Sequence, residues 1–320
     1  MSERSLLRTD RPGLVRGDLC EDRAVTSRGL VLFVLLSLIW GIPYLFIRVA
    51  VAEVSPAFFV FARTGIAAAV LLPIAFVRLD LRPVLARWRW VVAFALVEIA
   101  IPWVMLGSAE QHLSSSLTGL LISGVPLVGT LLAWLTGGAD RIGRLGLVGL
   151  LIGMAGVLGI VGADFGVADP IAFVQVAIVV VGYAIGPAIL SRRLEGVASL
   201  GVMALSLGLV ALLYAPIAVT QWPAAVPSPN VLISLVVLGV VCSAAAFILF
   251  AALIDEIGPV RATVIAYVNP AVAAILGVLV LNETLTVPMV IGFVLVTIGS
   301  LLATRSRATV PAPQAVPAEA

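Results

Sequence analysis

Glu98 is the single charged residue among ten apolar ones in the run LVEIAIPWVML (96–106). A carboxylate placed there can carry a proton, bind an amine or balance a buried cation, because loss of hydration disfavours its charged form. A second isolated charge, Arg63, lies in SPAFFVFARTG (55–65). An arginine in apolar surroundings costs about 2.5–3.5 kcal/mol on insertion scales unless a carboxylate, carbonyls or water meet it. Two charges in one apolar bundle tend to pair, so Arg63 is read as a structural anchor and as a partner available to Glu98. Three readings of Glu98 stay open. It carries a proton beside a wet cleft, it pairs structurally with Arg63, or it binds the amine of an amino-acid-like or cationic molecule.

Other polar residues stand near prolines. Trp40, Tyr44 and Arg48 recur at i, i+4 and i+8 and share one helix face. That face can present aromatic surface and a cation to a cavity; alternatively, Arg48 snorkels to headgroups while Trp40 packs. Trp103 follows Pro102, and Tyr183 precedes Pro187 with Gln175 further back. Ser115 and Thr118 continue towards Ser123 and Pro126, where small hydroxyls also serve helix packing. Pro126 and Pro270 each remove a backbone bond and free a carbonyl, and Tyr267 and Asn269 stand beside the second. The residues expected at a substrate cavity are Trp40, Tyr44, Glu98, Trp103, Ser115, Tyr183, Tyr267 and Asn269. Glu98 is the candidate for proton coupling, and Arg48, Arg63, Pro126 and Pro270 are read as structural charges or kinks.

The elements that must position these residues follow from composition. Of the 320 residues 62% are hydrophobic and only 11% charged, with a mean hydropathy of +1.19. Soluble proteins carry about a quarter charged residues, so a water-dispersed fold is excluded. Uncharged runs cover 29–47, 113–139, 145–163, 170–191, 262–282 and 284–304, near the ~20 residues that cross hydrocarbon as a helix. Runs 55–77 and 90–108 hold one charge each. The long run 196–254 is broken at QWPAAVPSPN (221–230), where three prolines stop a helix and a tryptophan suits an interface. The expected architecture is therefore all-α, with ten transmembrane helices; continuous runs exclude barrel strands. The first run reads as a permanent span, being too long for a signal core and without a small-x-small cleavage site. The tails, 1–28 and 305–320, have the composition of disordered cytoplasmic segments.

All 19 basic residues are arginine. When the gaps between helices are assigned alternately to two sides, one side receives seventeen arginines and the other none; Arg48 and Arg63 lie in or at the edge of helices. Positive charge stays cytoplasmic, so both termini are expected inside. The two cysteines, Cys20 and Cys242, are placed too differently to pair. One histidine, His112, leaves no His-based metal site, and no cofactor is expected.

Self-similarity divides the chain. Pro126 aligns with Pro270, Asp140 with Glu283 after one gap, Gly149 with Gly292, Gly156 with Gly299, and LLPIAF (71–76) with YAPIAV (214–219). The offset stays at 143–144. Two repeats of five helices follow, 29–163 and 170–304. Five is odd, so the second repeat is inverted relative to the first, with a central cavity at their junction. Inverted repeats allow two similar halves to exchange inward-open and outward-open shapes. Gly149 and Gly153, with Gly292 and Gly299, read as packing faces.

The order of motifs carries a resemblance. IWGIPYLFIR (39–48), SPAFFVFAR (55–63), GSAEQHLSSSLTGLLISGVPLVGTLLA (107–133) and IGPVRATVIAYVNPAVAAILGVLVLNETLT (257–286) are similar to the EamA-type ten-helix members of the drug/metabolite transporter superfamily. The likeness covers roughly 30–303, and helices six and seven match weakly. In that family the arginine entering helix two belongs to the motif. The resemblance implies a secondary active transporter in the cytoplasmic membrane that moves a small metabolite, an amino-acid-like compound or a drug by alternating access. Export and proton coupling are the expected direction and energy source.

Two alternatives from other classes are a membrane-embedded enzyme and a passive channel. The first needs a reactive constellation, which one histidine, no lysine and scattered acids do not supply. The second needs rings of repeated charge or carbonyls, and none is visible. No G-x-x-x-x-G-K-[ST] motif is present. The expected partners are a small-molecule substrate and the lipid bilayer, without nucleic acid, for a monomer or a homodimer.

Overall fold

Backbone groups in hydrocarbon must be satisfied within their own segment, and the apolar runs form helices accordingly. The computed structural model describes residues 26–136, 143–164, 169–257 and 264–305, among which no strand occurs. Nine helices there have the length and apolarity of a membrane span: α1 (Ser27–Ala50), α2 (Pro56–Arg78), α3 (Trp88–Ala109), α4 (Ser115–Leu135), α5 (Arg144–Gly162), α6 (Pro170–Arg193), α7 (Ser199–Thr220), α8 (Pro229–Ile254) and α10 (Val287–Thr304). The tenth apolar helix, α9 (Ile265–Leu281), has 17 residues. The protein is an all-α integral membrane protein of two inverted five-helix repeats. The tail segments 1–25 and 306–320, with Cys20 and Asp140, lie outside the described residues; Cys242 is buried and unpaired.

Packing follows a pseudo-twofold relation between the repeats. The equivalent helices α2 and α7 pack on each other, as do α5 and α10. The remaining contacts come in exchanged pairs: α1 lies against α8 and α9, just as α6 lies against α3 and α4. Such an exchange is what an inverted duplication imposes.

The α5–α10 contact depends on glycine. A Cβ on Gly156 would stand 2.6 Å from the Gly292 carbonyl oxygen, and one on Gly292 2.7 Å from that of Gly156. Gly149 meets Gly299 in the same way, one turn or two along. Backbones approach this closely only where side chains are absent. Gly156→Leu is expected to overpack this seam at a cost of about 1–3 kcal/mol. The thermal midpoint of the detergent-solubilised protein should fall by roughly 5 °C, read by the temperature at which the monodisperse peak is lost.

Prolines act unequally. Pro43 lacks the N–H of its turn, and α1 is divided at Ile42 into Ser27–Gly41 and Pro43–Ala50. Pro126 similarly follows a break, with Ser115–Ile122 and Val125–Leu135 on either side. Pro270 does not interrupt α9, which runs continuously from Ile265 to Leu281. Of the two equivalent prolines read as kinks, Pro126 follows a break and Pro270 lies inside a continuous helix.

Helices α3 and α8, equivalent in the two repeats, each contain a π-helical stretch, Ala95–Ala100 and Val237–Ala245. Pro102 has no N–H to offer the Glu98 carbonyl, and the ladder widens beside it. Such insertions are rare and concentrate at functional sites. Here they mark the middle of both helices.

Candidate functional site

Four helices bring a polar cluster together between these π-helical stretches. Arg63 on α2 is buried at 5% exposure. Its guanidinium carbon stands 3.6 Å from the Trp103 ring centroid, and its Nε donates to Ser243 Oγ of α8 at 3.1 Å. Ser243 in turn donates to the Leu238 carbonyl, five residues back, at 2.8 Å. The π-helical turn leaves that carbonyl free to accept. Trp103 lies beside the Tyr183 hydroxyl of α6, and Tyr183 lies within electrostatic reach of both Glu98 and Arg63. A desolvated cation–π stack is worth about 2 kcal/mol, which offsets most of the cost of placing Arg63 in the bundle. Among the described residues its two terminal nitrogens donate to no protein atom.

Glu98 on α3 joins the cluster through Tyr183, which feels both charges. Its side chain is partly accessible, while Oε2 is enclosed and accepts no hydrogen bond. The carboxylate lies against α6 at Gly186, where a Cβ would overlap it. Among the described residues the one ion pair within 4 Å is Arg28–Glu256, far from this cluster. Structural pairing of Glu98 with Arg63 is therefore not what the fold builds.

Of the residues expected at a cavity, Glu98, Trp103 and Tyr183 converge, with Tyr44 within electrostatic reach of Arg63 and Tyr183. Four do not join them. Trp40 packs on Phe250 of α8 at 4.9 Å between ring centroids; the kink at Pro43 separates it from Tyr44, so their shared face is split. Tyr267 lies near Thr304 of α10. The Asn269 amide, oriented to satisfy both its ends, donates to the carbonyls of Ser37 and Ile265 at 3.1 Å each, and so ties α9 to α1. Ser115 serves a different cluster.

That second cluster closes the end of the bundle whose turns carry no arginine. Asn282 ends α9 in the left-handed conformation at φ 54°, which asparagine tolerates. Glu283 N–H bonds back to the Gly277 carbonyl at 3.1 Å, a 6→1 closure of Schellman type. The turn delivers the Glu283 carboxylate to the first turn of α4. There it accepts from Ser115 N and Ser116 N at 2.8 Å each, and from their hydroxyls at 3.1 and 2.6 Å. Backbone N–H groups and the helix dipole favour an anion at this position. Arg48 donates to the Glu110 backbone carbonyl. Sequence reasoning placed Ser115 at the cavity, took Glu283 only as the repeat-equivalent of Asp140, and gave Glu110 no part in a site. The run of three serines at a helix start was the available signal.

A helical membrane protein of paired inverted repeats, with isolated polar groups gathered between them, has the architecture of a secondary transporter. The chain belongs to the EamA-like transporter family, whose model matches twice, over residues 27–162 and 170–305. It is thus a multi-pass membrane transporter of the drug/metabolite transporter superfamily. No curated protein matches the chain. A solved crystal structure, titled only as that of a protein, is similar over 87% of this chain and 97% of its own, at 22% identity and a TM-score of 0.62. At that identity the likeness speaks for the fold alone.

Proposed function

We propose that the chain exports a small amino-acid-like compound, one bearing an amine and an anionic group, by alternating access coupled to protons. The observation that carries this reading is that two opposite charges of the bundle, buried Arg63 and half-buried Glu98 with its enclosed Oε2, do not pair with each other. The free fork of Arg63 suits a carboxylate or another planar anion bidentately. Glu98 suits an amine, and Trp103 and Tyr183 offer apolar surface between the two. When the amine leaves, an enclosed carboxylate is costly to keep charged, so a proton takes its place. Exchange of substrate for proton at Glu98 couples the two movements.

The arginine distribution supports the orientation: both termini cytoplasmic, the arginine-free turns outside, in the cytoplasmic membrane. The site is built from α2, α3, α6 and α8 of one chain, so a monomer suffices for binding.

A growth screen of deletion and overproducing strains across toxic amino-acid analogues selects the substrate. Purified protein in sealed vesicles then tests the mechanism. Accumulation is expected to rise at least fivefold under an imposed proton gradient, to collapse with a protonophore and to ignore ATP. Equilibration without accumulation under any gradient would instead identify a passive channel.

A further inference from the structure

The cluster at the arginine-free end contains a group that the central site does not use. Glu110 follows α3 directly and is completely buried, and both its carboxyl oxygens are enclosed without a hydrogen-bond donor. The nearest cation ignores it: Arg48 bonds the backbone carbonyl of Glu110, and no ion pair joins their side chains among the described residues. The neighbouring Glu283 carboxylate holds four donors from α4. Its anionic form therefore belongs to the closed arrangement. Glu110 has none of these donors, and its neutral form is the one that its surroundings accept.

We infer that Glu110 is a second proton-binding site, whose proton is held while the Glu283 clasp on α4 is closed and released when the clasp opens. The inference rests on the transport reading above and adds to it a proton site at the outer mouth. The physics is one of repulsion and hydration. Ionised Glu110 would place an unsolvated charge beside anionic Glu283, and opening the clasp relieves both costs by admitting water. The charged and titratable groups within electrostatic reach of Glu110 are Glu283 from the turn before α10, Arg48 and Tyr44 from α1, Arg63 from α2 and Tyr183 from α6. Burial raises the Glu110 carboxyl well above the usual range, and Glu283 raises it further; Arg48 and Arg63 oppose them. The sign follows. The closed state binds the proton more tightly than an open, hydrated one. Closure is favoured below the open-state value and lost as pH rises through the closed-state value.

Thr286, whose hydroxyl is enclosed three residues past Glu283, reports the clasp. In reconstituted Thr286→Cys protein, labelling by a membrane-impermeant maleimide is followed at pH 6 and pH 8. It is normalised to Val226→Cys, an exposed control on a turn at the same end. The normalised rate is expected to rise at least fivefold with pH. Glu110→Gln, which mimics the neutral acid, should label slowly at both values, whereas Glu283→Gln should label fast at both. His112→Gln should keep the pH response, which separates Glu110 from the chain's one imidazole. A pH-independent rate in the Thr286→Cys parent, or an unchanged response in Glu110→Gln, overturns the assignment. Labelling needs no substrate. Its failure leaves the transport reading standing, and absence of transport with intact pH-gated labelling does the reverse.

Discussion

Arg63→Lys is expected to lower transport at least tenfold while the amount of folded protein stays within twofold of the parent. Lysine keeps the charge but loses the planar stack on Trp103, the Nε bond to Ser243 and the fork that remains free. The stack alone is worth about 2 kcal/mol when desolvated, a factor of roughly thirty in an equilibrium. Arg63→Met separates function from anchoring. Apolar replacement is destabilising chiefly where it strands a charged partner, and among the described residues Arg63 has no ion-pair partner to strand. The Met variant should therefore keep or raise the thermal midpoint and lose transport altogether. Were Arg63 only an anchor, the opposite pattern would appear: a lower midpoint in Arg63→Met and a normal rate in whatever protein still folds. Vesicle uptake measured beside thermal unfolding gives both readings from one preparation.

Glu98→Gln has the second large expected effect. The amide is isosteric with the neutral acid, and no ion pair of the fold is broken, so folding should be unchanged. The amide cannot ionise to meet an amine or exchange a proton. Uptake should fall at least tenfold, and any residual flux should no longer respond to the proton gradient. Gly186→Ala approaches the same carboxylate from the other side. Mid-helix alanine is intrinsically favoured over glycine by up to about 1 kcal/mol, yet its Cβ would overlap the Glu98 carboxylate. Transport should therefore drop while the thermal midpoint barely moves. Full gradient-driven accumulation in Glu98→Gln would remove Glu98 from the mechanism.

The architecture was readable because its causes are local or periodic. An apolar run of about 20 residues, a proline cluster at 221–230 and an offset of 143–144 each speak without knowledge of neighbours. Glu98 and Arg63 were conspicuous for the same reason: each is a lone charge in such a run. Which aromatic and polar groups would join them was not readable. Trp40 and Tyr44 share a helical phase but lie on either side of the division at Ile42; Trp40 stacks on Phe250 of α8, while Tyr44 lies beside Gly119 of α4. Ser115 and Tyr267 satisfy the requirements of a cavity-lining residue equally well in sequence. One binds Glu283, 168 positions away, and the other lies against Thr304 of α10.

By itself, then, the sequence determined that this is a membrane protein of ten apolar helices in two inverted repeats, because hydrophobic length, helix-stopping residues and internal repetition are properties of one dimension. Only the tertiary structure decided that Arg63 rests on Trp103 instead of pairing with Glu98, and that Glu283 holds the start of α4 beside a buried Glu110. Those outcomes depend on which helix faces meet. Hydrocarbon sets no preference among equally apolar faces, so the choice falls to close contact at glycines and to the few polar groups that bond between helices.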